Sequence, residues 1–219
     1  MTPKDVTAIL DFQDVLASPT SAYEERLRFF QGQGMANDAL RRLVADLNRH
    51  GIDYSVIGAV ALNQHGYRRF TEDIGLLMSA EGLEKFRREL VGRGYRPAFQ
   101  GATKKFRQTE QNVPIEIISG EYPGDGRPKP VRFPEPSEHS VIIDGVKTVD
   151  LAKLIELKLA SGMSGLARLK DLADVQELIR VKGLDEGVAE RLDPFVRDKY
   201  LELHAEVVQA HAQGLDAER

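Results

Sequence analysis

Cysteine and tryptophan are both absent from this 219-residue chain. Without cysteine there can be no disulfide, no cysteine nucleophile and no thiolate metal site. With no tryptophan and 7% aromatic residues, a base-stacking sheet like that of RNA-binding domains is unsupported. No apolar run reaches the length of a membrane span, and the opening Met1-Thr2-Pro3-Lys4-Asp5 lacks the layout of a signal peptide. An excess of positive charge is also missing. The 30 Lys and Arg against 34 Asp and Glu give a formal charge of -4, which argues against a bulk nucleic-acid coat. The five histidines show no metal-ligand spacing apart from His204 and His211 near the end of the chain. What remains is ordinary globular usage, 42% hydrophobic and 29% charged, in a length that suits one good core with a small appendage. A cytoplasmic protein with no membrane contact is expected.

Periodicity divides the chain into three regions. Residues 1–50 read as a helical extension: Asp5 to Leu16, then Ala22 to Phe30, broken by Gly32 and Gly34, then Asn37 to His50 with Leu40, Leu43, Val44 and Leu47 on one stripe and Gly51 as its stop. Residues 51–149 turn α/β. Strands are expected at Tyr54 to Ile57, Ile74 to Met78 and near 96–99, 104–108 and 114–119, helices at Ala59 to His65 and Glu81 to Val91, and a hairpin about Asp144-Gly145. Residues 150–219 are helical again, over Asp150 to Ala160, Leu166 to Val181, a short piece after Asp185, and Pro194 to about His211, with a frayed end. The fold class is therefore α/β (α+β), a small mixed sheet flanked by N-terminal and C-terminal helices.

The most informative residues are Gly58-Ala59-Val60-Ala61 and Thr71-Glu72-Asp73-Ile74-Gly75-Leu76-Leu77. On a strand, side chains two apart share a face, so Asp73, Gly75 and Leu77 point one way while Glu72 faces the other. An acid at position 75 would stand beside Asp73, and two such acids can bridge two Mg²⁺ ions around a triphosphate. Glycine supplies no ligand. A further acid is offered by Glu116 within Val113-Pro114-Ile115-Glu116-Ile117-Ile118, where burial would be costly unless the charge were paired. The other reading of Glu116 is the solvent face of a half-exposed strand.

These residues, in this order, resemble the DNA polymerase β-type nucleotidyltransferase superfamily in its minimal bacterial branch. Gly58, Asp73 and Glu116 match the pattern; Ala59 departs from the usual serine or glycine, and Gly75 from the second acid. A second block, Leu151-Ala-Lys-Leu-Ile-Glu-Leu-Lys158-Leu-Ala-Ser-Gly followed by Arg168-Leu-Lys-Asp171-Leu-Ala-Asp174, resembles the helical pair of the AbiEii-type abortive-infection and toxin nucleotidyltransferases. The resemblance covers roughly residues 50 to 182. It implies a nucleotidyltransferase core in which Asp73 and Glu116 are catalytic and hold Mg²⁺, while Gly58, Ala59, Lys158, Arg168 and Asp171 bind the nucleotide. The partners implied are a nucleoside triphosphate and an RNA or protein acceptor. It also implies that transfer is weakened or lost through Gly75, or, as the alternative, that the chain is a degenerate nucleotide-binding or protein-interaction module of a toxin-antitoxin type system. Read without the resemblance, Arg168, Asp171 and Asp174 are i,i+3 neighbours that could form a solvated ion-pair ladder.

Two expectations follow for the fold. Asp73 and Glu116 should sit on adjacent strands facing a cleft beside Gly58, with Lys158 pointing into that cleft and Asp174 packing or pairing at the helix surface. The segment Gly120 to Pro136 holds half of the chain's ten prolines, a composition that favours an ordered extended loop. That loop would be either a rim of the cleft or a rigid connector. The basic residues Lys104, Lys105, Arg107, Arg127, Lys129 and Arg132 flank Glu116 as a lip for anions or as a solvated face.

Overall fold

The computed structural model describes residues 11–214. Helices α1 (Phe12–Ala17), α2 (Pro19–Phe30) and α3 (Met35–Arg49) lead into β1 (Ser55–Ile57), α4 (Gly58–Gln64), β2 (Ile74–Leu77), α5 (Ala80–Leu90), β3 (Tyr95–Pro97), β4 (Lys105–Gln108) and β5 (Pro114–Ile118). The hairpin β6 (Ser140–Ile143) and β7 (Val146–Val149) precedes α6 (Leu151–Gly162), α7 (Leu169–Lys182) and α8 (Pro194–Ala212), with 3₁₀ turns at Leu166–Arg168 and Glu186–Arg191. The expected helix over Asp5 to Leu16 falls partly outside the described residues, as does the expected frayed end.

The seven strands form one mixed sheet in the order β3-β4-β5-β2-β1-β7-β6. β1 runs antiparallel to β2 and parallel to β7, and β2 runs parallel to β5. Pleating sends alternate side chains to opposite faces, and both faces are covered. Ile74, Leu76, Ile115 and Ile117 pack with Leu43 and Leu47 of α3 and Phe86 of α5. Ile57, Leu77 and Val149 pack with Leu154, Leu157, Val175 and Leu178 from α6 and α7 and with Tyr200 of α8. The α3 stripe behaves as its spacing predicts, with Leu40, Leu43, Val44 and Leu47 all buried.

Local chemistry sets the element ends. Asp150 caps α6 by accepting from Lys153 N at 2.9 Å, and Asp193 caps α8 by accepting from Phe195 N at 2.9 Å. Helix α3 ends in a Schellman motif: Ile52 N donates to Leu47 O at 2.9 Å and Gly51 N to Asn48 O at 3.1 Å, with Gly51 at φ +58°. Asp144 and Gly145 both have positive φ, as a two-residue hairpin turn of the mirror type requires.

Helices α2 and α3 meet through Glu25. Its buried carboxylate accepts from Met35 N at 2.6 Å at the start of α3, where a negative charge complements the helix dipole. Burial raises the Glu25 pKa, against the pull of the Met35 amide. The contact depends on Gly34, because a Cβ there would lie 2.7 Å from Glu25 Oε1 and 2.9 Å from Phe29 Cα. Gly34→Ala should therefore cost about 1–3 kcal/mol by overpacking against backbone. Urea unfolding of the two proteins measures this, and a variant as stable as the parent would show that α2 moves aside freely.

Candidate active site

Strand register brings the site together. Gly75 of β2 is level with Ile57 of β1 on one side and Glu116 of β5 on the other. Position 75 is thus flanked by one apolar and one acidic neighbour on the face that α6 and α7 cover. Asp73, immediately before β2, and Glu116 both line a cavity of about 620 Å³, together with Gly58, Ala59, Lys158, Arg168 and Asp171. All seven residues expected at the site therefore meet at one cleft. Thr71 Oγ1 donates to Asp73 Oδ1 at 2.8 Å and fixes that carboxylate. Gly58 opens α4 at φ +70°, a conformation that favours glycine, and nothing lies within 4 Å of where its Cβ would be.

One open alternative is decided and two expectations need correction. Glu116 lies on the half-exposed face of its strand: its side chain keeps 45% of its exposure and pairs with Lys105 at 3.4 Å. The cost of burial therefore does not account for this charge, since β5 presents it to an open cleft. Glu72 does not face away from the cleft but lines the same cavity as Asp73, because β2 begins at Ile74 and strand alternation does not extend back to residue 72. Asp174 is not at the helix surface. It is 3% exposed and belongs to a buried ion network.

Three members of that network, Lys158, Asp171 and Arg69, line the cleft. Lys158 Nζ donates to Asp171 Oδ1 at 2.7 Å and to Asp174 Oδ2 at 2.6 Å. Ser161 Oγ donates to Asp171 Oδ2 at 2.7 Å, and Arg69 Nη1 donates to Asp174 Oδ2 at 2.5 Å. Asp171 and Asp174 are thus not rungs of a solvated ladder with Arg168, whose guanidinium turns away to Gly124 O at 3.2 Å. Burial pushes the Asp171 carboxyl up, but the charge of Lys158 and the hydrogen bonds from Lys158 and Ser161 outweigh it and hold the pKa below 3.8.

Arg69 is a site residue that sequence reasoning missed. Its signal was its place in Arg68-Arg69-Phe70-Thr71, directly before the Asp73 motif. The fold holds it through Asn63 of α4, whose Nδ2 donates to Arg69 O at 2.5 Å while Arg69 N donates to Asn63 Oδ1 at 2.9 Å. Lys170 lines the same cavity. Most of the basic lip foreseen around Glu116 is occupied locally: Lys104 binds Glu121, Arg107 donates to Asn112 O, and Lys129 and Arg127 pair with Asp125.

The segment from Gly120 to Pro136 is ordered and borders the cleft. Lys129 Nζ donates to Pro123 O at 2.6 Å, Phe133 N donates to Glu121 O at 3.1 Å, and Val131 is buried. Gly124 sits so close to α6 that a Cβ there would lie 2.9 Å from Ser161 O. No described helix is long and apolar enough to cross a membrane.

No protein-family model and no curated protein matches this chain. Solved structures do. The fold is similar to that of ANT(2")-Ia in complex with adenylyl-2"-tobramycin, at 13% identity and a TM-score of 0.50, covering 80% of this chain and 97% of that one. It is also similar to JHP933 from Helicobacter pylori, at 17% identity and a TM-score of 0.46 over 81% of this chain and 91% of that one. A nucleotidyltransferase-like antigenic protein from Paracoccidioides brasiliensis matches at 16% identity and a TM-score of 0.45, over 80% and 88% of the two chains. The likeness to ANT(2")-Ia shows that this chain shares its fold.

The ion network makes two measurable demands. Lys158→Met leaves buried Asp171 with no cation and Asp174 with Arg69 alone, and should cost about 3–5 kcal/mol in urea unfolding; a loss under about 1 kcal/mol would mean that water replaces the ammonium. Because the Asp171 pKa is lowered from 3.8, its contribution to stability is full above 3.8 and is lost as pH falls through the folded value. The stability gap between the parent and Asp171→Asn should accordingly hold from neutrality down to about 3.8 and shrink as pH falls further. A gap that stays constant would remove the charge on Asp171 from the account.

Proposed function

We propose that this chain is a nucleotidyltransferase-like protein whose cleft binds a nucleoside triphosphate with Mg²⁺, and in which transfer to an acceptor is weakened or lost because Gly75 stands where a second acid would. The observation that carries this reading is the register of β2 on β5, which puts Asp73 and Glu116 at one cavity with Gly58 and Lys158. The fold shared with ANT(2")-Ia supports it.

The donor set suits one cation better than two. Mg²⁺ is commonly held by one or two carboxylates plus substrate phosphates, and Asp73 and Glu116 supply such a pair. Among the described residues no three His, Asp or Glu side chains converge to hold a metal. When bound, Mg²⁺ would neutralise charge on the phosphate oxygens and orient them. The chain's own residues do the rest. Gly58, lacking a side chain, lets the backbone at the start of α4 come close to phosphate. Lys158 spends two of its donors on Asp171 and Asp174 and keeps its position fixed, so its role toward phosphate is that of a preset charge at the cleft wall. Lys170 adds a cation on the same wall. Transfer in such a site is an in-line displacement driven by positioning and electrostatics, with an RNA or a protein as the acceptor.

A second reading is a degenerate module that binds nucleotide or a protein partner without transfer, of the toxin-antitoxin kind that the Lys158 and Asp171 block resembles. Ile57 favours it. A Cβ at position 75 would lie 3.2 Å from Ile57 Cγ1 and 3.4 Å from Ile57 O, so Ile57 crowds a side chain at that position and would have to give by a few tenths of an ångström to admit one.

Calorimetric titration with each nucleoside triphosphate, with and without Mg²⁺, tests the binding reading, which expects affinity that depends on the metal. Gly75→Asp tests the gap. Alone, the aspartate is crowded by Ile57; combined with Ile57→Ala it should raise Mg²⁺-dependent ATP affinity by about tenfold, roughly 1.4 kcal/mol. In chelator the double variant should melt below Ile57→Ala, since neighbouring carboxylates repel, and recover when Mg²⁺ and ATP are added. A double variant that folds without any gain in affinity favours the second reading.

A further inference from the structure

Next to the charged cavity lies a second lobe of about 280 Å³, reached past the shared wall of Gly58, Glu116, Lys158 and Asp171. Its chemistry is different. Ile118 of β5 and Leu154 and Leu157 of α6 form its floor, while Tyr122 and Phe133 come from the proline-rich segment. The two leucines are buried, Ile118 and both aromatic residues are half-buried, and Phe133 rests partly on the core beneath, so both aromatic side chains keep some surface toward the lobe.

The segment that presents them is braced at both ends of the lobe. Phe133 N bonds Glu121 O beside Tyr122. Gly124, at φ +79°, is pressed against Ser161 and Ser164, and its carbonyl accepts from Arg168. Aromatic side chains on a fixed backbone lose little freedom when a ring stacks on them.

We propose that this lobe holds the base of the bound nucleoside triphosphate, with Tyr122 and Phe133 as its stacking walls, while the triphosphate lies in the charged cavity beside Asp73. This assignment rests on the nucleotide-binding reading above. A nucleotide is a polyanion joined to an uncharged planar ring. Of the residues that the two lobes do not share, Arg69, Glu72, Asp73 and Lys170 line the first, while Tyr122, Phe133, Leu154 and Leu157 line the second. The reverse placement would set phosphate oxygens against Leu154, Leu157 and the carboxylate of Glu121. It would also put the base in a lobe where Phe70 is accompanied by Asp73, Glu72, Arg69 and Lys170, and desolvation of those charges costs much. Stacking on aromatic side chains tolerates any base because every base has a π-face.

The test compares two ligands on the full chain in the presence of Mg²⁺: ATP, and inorganic tripolyphosphate, which has the phosphates without the base. The parent should bind both. Tyr122→Ala combined with Phe133→Ala should weaken ATP on the order of tenfold, as loss of base stacking does, and leave tripolyphosphate unchanged. The conservative pair Tyr122→Phe and Phe133→Tyr should keep ATP affinity, and thermal unfolding checks that each variant is folded. An alanine variant that weakens both ligands equally overturns the assignment, because the segment would then merely support the cleft. One that weakens neither also overturns it and gives the lobe to the acceptor. A parent that binds neither ligand overturns the nucleotide reading itself and this assignment with it.

Discussion

The pairing of Lys158 with Asp171 and Asp174 ties together the elements that make the cleft. Lys158 comes from α6, the two aspartates from α7, and Arg69, which shares Asp174, from the connection between α4 and β2. One buried network thus joins the helical layer to the loop that delivers Asp73 to its place. Two cations and two carboxylates balance within it, so no member is left as an uncompensated buried charge. Asn63 and Ser161 hold the orientation of Arg69 and Asp171. The network is therefore both a structural joint and a fixed patch of charge at the wall of a cavity, and removing either role would disturb the other.

The sheet supplies the other half of the cleft through register. Because β2 lies between β1 and β5, one position on its inner face has neighbours from both. On the β5 side the neighbour of Gly75 is Glu116, and on the β1 side it is Ile57. The glycine is consistent with both facts: it leaves Glu116 facing open space and gives Ile57 room to pack. A carboxylate at this position could not be restored by a single change without asking Ile57 to move. The gap in the acid pattern is matched by its surroundings.

Much of the fold was legible from local signals. The α3 stripe, the Gly51 stop, the Asp144-Gly145 turn and the caps at Asp150 and Asp193 each rest on interactions within a few residues, and such interactions are present in the sequence itself. The meeting of Asp73, Glu116, Gly58, Lys158, Arg168 and Asp171 at one cleft was legible through resemblance to a known pattern, since no local rule relates residue 73 to residue 158. Where the sequence reading erred, the cause was context. Glu72 was placed on the wrong side because strand alternation was carried one turn of chain too far. The sequence leaves Glu116 open between burial and a half-exposed face, because the open side of its strand is created by elements far along the chain. It allows a pairing for Asp174 but not its burial, because i,i+3 spacing looks the same whether or not α6 covers it.

By itself the sequence determined the order and type of the elements, the glycine where a second acid is expected, and the charge available to the site, because these follow from composition and short-range periodicity. Tertiary structure decided which charges face each other. It set Lys158 between two aspartates, brought Arg69 to Asp174, set Ile57 against position 75, and brought Tyr122 and Phe133 to the lobe that Leu154 and Leu157 line. Each of these depends on strand order and on helix packing between segments tens of residues apart, and the free energy of such contacts is set by what is excluded from water when the layers close.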